Sequence, residues 1–209
     1  MSDAELRAKQ RAAGGLDERA AHLRARLRAG ELSQEHLELA AQLGSDAARA
    51  ALAEAPPDFD LIRWSVQQGG RPTPLTPVLA PRAALAAAER VAPLCGEPGE
   101  ANALAAQELR EAARAAVAKR GLPEVHRSAG LAEALLIQAQ AETPPRSFAL
   151  RASACAGNAA AGFYGECADG IEAATYALIA SGVPAEPAEA EVLAAVGAAL
   201  IPWLLGEAP

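Results

Sequence analysis

The side chains best equipped for covalent chemistry in this 209-residue chain are three cysteines and three histidines. Cys155 or Cys167 with His126 and Asp169 would supply a nucleophile, a base and an orienting carboxylate, and such a triad need not be contiguous in sequence. An activated thiol, however, needs a strained turn or a glycine-flanked position that exposes it. Both cysteines sit in alanine-rich helical patterns, so the sequence predicts small, buried, unreactive thiols. Cys95, Cys155 and Cys167 form an odd set with no CxxC pair and no neighbouring histidine. That pattern predicts three free thiols, with neither a zinc site nor a disulfide framework. His36 lies in line with Leu39 and Leu43 at the edge of an apolar stripe and reads as a half-buried packing residue. His22 and His126 are read in the same way.

The run AGNAAAGFYGECADG holds Gly157 and Gly162 at the spacing of a phosphate-binding loop. Phe163 and Tyr164 stand where that loop requires lysine and a hydroxyl residue, so the essential cation is missing. The expectation is that the two glycines let helices touch and that Asn158 hydrogen-bonds across the contact. Glu108 and Glu111, beside Arg110 and Arg114, read as a solvated ion-pair face rather than paired catalytic acids. No metalloprotease, calcium-loop or dinucleotide pattern occurs. The chain is therefore expected not to be an enzyme, with no catalytic residue, cofactor or metal site.

The elements that would carry these residues are helices. Alanine occurs 57 times and leucine 26, whereas aromatic residues make up only 3% of the chain, a composition that favours helix over sheet. Glycine and proline cut the chain into helix-sized pieces. A short polar helix is expected to end at Gly14-Gly15. Helices follow over about 17–29, closed by Gly30 in a left-handed cap, over 33–43 with Ser33 as N-cap, and over 45–55 with Ser45 as N-cap. The next, about 58–68, places Phe59, Ile62 and Val66 on one face. Further helices are predicted over about 82–94, 101–120, 123–142, 147–164, 166–181 and 188–205. The fold class is all-α, an array of about eleven antiparallel helices in a HEAT-like or irregular bundle.

GGRPTPLTPVLAP, residues 69–81, holds four prolines and two glycines and reads as a linker. It would divide an N-terminal helical module, 1–68, from a C-terminal alanine-rich domain, 82–209. Residues 121–209 carry ten acidic and three basic side chains, which accounts for the whole net charge of -7. Such a half repels nucleic acid and suits a basic partner. The opening MSDAELRAKQRAAGG has no apolar core of the signal-peptide kind, so a cytoplasmic protein is expected. The apolar run over 192–205 is 14 residues long and contains Pro202, so it reads as a buried helix and no membrane association is expected. The excess of arginine over lysine, with the alanine load, points to a GC-rich bacterial genome.

RAALAAAERVAPL, residues 82–94, and RASACAGNAAAGFYGECADGIEAATYALIASG, residues 151–182, resemble a helical family of bacterial immunity proteins found beside polymorphic toxins. The family tends to show an alanine-rich helix, a polar or glycine break, and a second helix ending in a Tyr-Ala pair. Tyr176-Ala177 fits that ending. The family's proline- and arginine-containing segment between its first helices is replaced here by GEPGEANALAAQ. Residues 23–52 also resemble a helical segment of proteins from high-GC bacteria to which no activity is attached. The resemblance implies a toxin-neutralising role, and the absence of catalytic motifs agrees with a protein that acts by binding another protein. The alternative is a structural scaffold or adaptor in a bacterial assembly. On the helix over 166–181, Cys167, Ile171, Ala174 and Leu178 should face the core. Glu166, Asp169, Glu172 and Tyr176 should then form a partner-binding surface.

Overall fold

A computed structural model describes residues 15–52, 54, 56–119 and 125–207. About three quarters of these are helical, in ten α-helices and one 3-10 turn, and no strand occurs among them. The fold is all-α, as composition and punctuation require. The expected first helix lies outside the described residues. In chain order the helices are α1 (Leu16–Arg28), α2 (Gln34–Gln42), α3 (Asp46–Ala51), α4 (Leu61–Gly70) and α5 (Thr76–Arg90), followed by the 3-10 turn Ala92–Cys95. Then come α6 (Ala101–Lys119), α7 (Val125–Ala139), α8 (Arg146–Ala160), α9 (Glu166–Ala180) and α10 (Ala185–Leu204).

The chain forms two compact units. One runs from Met1 to Phe59 and includes Leu200–Pro209; the other is Asp60–Ala199. In the first, Ser33 and Ser45 cap α2 and α3 by accepting hydrogen bonds from the backbone N–H groups of His36 and Ala48. Gly30, at φ 73°, closes α1 as expected: its N–H reaches the Leu27 carbonyl, and the Glu31 N–H reaches that of Arg26. α3 stops at Ala51, short of residue 55, because Leu52 turns extended. His36 is half-buried and meets the Trp203 ring, the centroids 5.6 Å apart. His22 is exposed, so the packing role expected for it is corrected.

In the second unit α8 is the central element, packed against α5, α6, α7 and α9. Alanine makes this possible, since Ala149, Ala152, Ala156 and Ala159 are fully buried and let four neighbours approach one helix. A Cβ at Gly157 would stand 2.7 Å from Leu109 Cδ2, which confirms the expected helix contact at this glycine. Gly162 does something else. At φ 100° it ends α8, donating to the Ala159 carbonyl while Phe163 N–H reaches that of Asn158.

Residues 69–81 are not a linker. Gly69 and Gly70 finish α4, and α5 begins at Thr76 with Pro77 in its first turn and Pro81 inside it. Proline is tolerated in a first turn because those N–H groups have no helical partner, and Pro81 is buried in the core. The corner is fastened by side chains. Buried Thr76 Oγ1 donates to Gln68 Oε1 at 2.9 Å and accepts from Thr73 N–H at 2.8 Å. The apolar face of α4 is not its buried one: Ile62 and Val66 are 39% and 56% exposed, while Ser65 and Gln68 are buried. α4 turns its 65 and 68 side inward, and at its exposed end Gly69 admits a close backbone approach, since a Cβ there would lie 2.5 Å from Gly165 Cα.

α10 is 20 residues long with a mean hydropathy of 1.3 over its most apolar window, long and apolar enough by those measures to cross a membrane. Val192, Val196, Leu200 and Leu204 on it are buried within the protein, at the four-residue spacing of one helix face.

Candidate functional site

The Phe148, Arg151 and Cys155 side chains recur at spacings of three and four along α8 and so share one face. They line an open groove of about 330 Å³. α7 and the residue after it contribute Leu136, Ala139 and Gln140, and α9 contributes Glu166 and Asp169. Two fastenings set the start of α8. Ser147 Oγ donates to the Ala139 carbonyl at 2.8 Å, and Arg146 meets Glu100 at 2.5 Å and Glu142 at 3.4 Å. Gly170 lets α9 approach, since a Cβ there would lie 3.1 Å from Cys155 Cβ.

Of the four surface residues predicted on α9, the structure brings Glu166 and Asp169 into the groove, both half-buried. Tyr176 is 45% exposed and its ring meets that of Phe148, with centroids 5.5 Å apart and planes inclined at 41°. It therefore stands beside the groove without lining it. Glu172 is exposed. Cys167, Ile171, Ala174 and Leu178 are buried, as the helical spacing requires.

The electrostatics are uneven. Arg151 faces Asp169 with Nη2 4.0 Å from Oδ1, too far for a hydrogen bond. Burial, reinforced by the charge of Glu166 and a hydrogen bond to it, pushes the Cys155 thiol far above its ordinary range, with Arg151 opposing weakly. Burial also pushes Cys167 up to about 12, against a backbone hydrogen bond with Ala84. Both are free, buried thiols, as is Cys95. Of the constellation of Cys155, His126 and Asp169, Cys155 and Asp169 line one groove, and the side chain of His126 lies outside the described residues. Burial beside Glu166 holds the thiol protonated, the wrong state for a nucleophile.

A second polar cluster draws Arg110 away from the otherwise exposed ion-pair face on α6. Arg110 turns inward, donating to Ser153 Oγ at 2.7 Å and approaching Cys95 Sγ at 3.5 Å. Arg114 instead pairs with Glu89 of α5, and Glu111 accepts from Gln107. Among the described residues no group of three His, Cys, Asp or Glu side chains is placed to hold a metal ion. Sequence reasoning missed Phe148 and Arg151, although their spacing with Cys155 was a usable signal. It had no signal for Arg110, whose partners lie 15 and 43 residues away. No protein-family model, curated protein or solved structure matches the chain.

Proposed function

We propose that the protein is a non-catalytic binding protein that presents the α7–α8–α9 face to a basic protein partner. The observation that carries this reading is the convergence of Glu166 and Asp169 on one open groove, with the Phe148–Tyr176 ring pair beside it. Carboxylates steer a cationic partner, and an exposed tyrosine offers a rigid amphipathic anchor. The acidic excess of residues 121–209 acts in the same direction. The resemblance to immunity proteins makes a toxin with a cationic active surface the natural partner, met in the bacterial cytoplasm.

Site-specific photocrosslinking in the native organism tests this. A benzophenone amino acid at position 172 should capture one basic protein, whereas the same probe at exposed position 38 should not. A folded protein that gives no crosslink from position 172 refutes the reading. Capture of several assembly components from position 66, beside exposed Ile62, would favour the scaffold alternative.

A further inference from the structure

We infer that the groove between α7, α8 and α9 receives one aliphatic cation, a guanidinium or primary ammonium side chain carried by the partner. The inference rests on the protein-binding role and adds the chemistry by which the partner is read.

Volume sets the scale. At about 330 Å³ the groove lies at the lower end of small-ligand sites, enough for one long side chain and too small for a helix. Its lining has two characters. Leu136, Ala139 and the Phe148 ring are apolar, suited to a methylene stem, while Glu166 and Asp169 supply carboxylates for a charged head. Phe148 adds an aromatic face that attracts a cation. An acidic ligand would meet two carboxylates against one guanidinium.

The carboxylates also have capacity to spare. Asp169 and Arg151 stand 4.0 Å apart, beyond hydrogen-bond reach, so the resident guanidinium leaves acceptor sites open. Glu166 neighbours the buried Cys155 thiol, whose weak S–H can occupy only one of about four lone-pair sites. An incoming guanidinium or ammonium offers the charge-assisted donors these oxygens lack. Arg151 is then a competitor for the same carboxylate, and removing it should help the ligand.

The test is a nuclear magnetic resonance titration of the full chain with butylguanidinium and butylammonium, with 1-butanol and acetate as neutral and anionic comparisons. The two cations should give saturable shifts confined to α7, α8 and α9. Glu166→Gln with Asp169→Asn should weaken binding roughly tenfold or more, and Arg151→Gln should tighten it about twofold to fivefold. Glu38→Gln, far from the groove in sequence and in the other compact unit, should change nothing. Should the double variant fail to fold by circular dichroism, Asp169→Asn alone carries the comparison. Butanol binding as well as the cations, acetate shifting the groove in their place, or weaker binding in Arg151→Gln would each overturn the inference. A blank cation titration beside a positive crosslink from position 172 removes the cation site and leaves the binding role. The reverse pair of results keeps the site and removes the protein partner.

Discussion

Cys155 on α8 and Glu166 in the first turn of α9 line the same groove, the buried thiol set beside the carboxylate. Cys155 is 1% exposed and sits where ionisation would place a second negative charge beside the first. Cys95 and Cys167 are equally buried. The folded protein should therefore resist iodoacetamide at pH 8, while denaturation without reductant should release three reactive thiols. Rapid alkylation of Cys155 in the native state would contradict this geometry.

The same burial links stability to alkaline pH. Folding raises the pKa of Cys155 and Cys167 above the ordinary value of 9.0, so the folded state holds these protons more tightly than the unfolded state. Below that value the thiols are protonated in both states and contribute no slope. As pH rises past it, the unfolded thiols ionise first and stability falls, until Cys167 ionises in the folded state near 12. The limiting slope is about 1.4 kcal/mol per pH unit for each thiol. Urea midpoints should drop between pH 8 and pH 10.5 in the parent protein, and drop less in Cys155→Ala with Cys167→Ala. Equal drops in the two proteins would rule the linkage out.

Three glycines on helices should respond differently to alanine. Gly130 on α7 has nothing within 4 Å of a new Cβ, so Gly130→Ala should stabilise by about 0.5–1 kcal/mol through helix propensity. Gly157→Ala would press on buried Leu109 and should destabilise by about 1–3 kcal/mol. Gly69→Ala would meet backbone at Gly165, which yields less readily than a side chain, and should be the most costly of the three. Denaturant unfolding ranks them, and a neutral Gly69→Ala would show that α4 does not depend on this approach.

Local chemistry was readable wherever a helix's own residues decide its course. Ser33, Ser45 and Gly30 mark real caps, and the core side of α9 follows from period 3.6 alone. Reading failed where a distant partner decides. The proline run over 69–81 looks unfit for helix, yet Pro77 falls in a first turn and Pro81 gains burial, so tertiary packing overrides the local cost. On α4 the apolar stripe predicts one face, but packing buries Ser65 and Gln68 on another. At the groove, half of the acidic pattern on α9 was visible in sequence. Its aromatic and cationic lining comes from α8, and nothing local shows that Phe148 meets Tyr176 across 28 residues.

Those internal roles decide how the binding face should be probed. Glu166 stands beside buried Cys155 and Asp169 faces Arg151, so reversing either charge also disturbs contacts inside the protein. Glu172 is exposed, and Glu172→Lys isolates steering from structure. With the captured partner in hand, Glu172→Lys should slow association at low ionic strength, and the difference should shrink as salt screens charges beyond about 10 Å. Tyr176→Ala should act on the other rate. Loss of a ring that packs on Phe148 and is 45% exposed removes an anchor, so dissociation should quicken while association barely changes. If stopped-flow kinetics show both variants indistinguishable from the parent at every salt concentration, α9 is scaffold and the interface lies on another face.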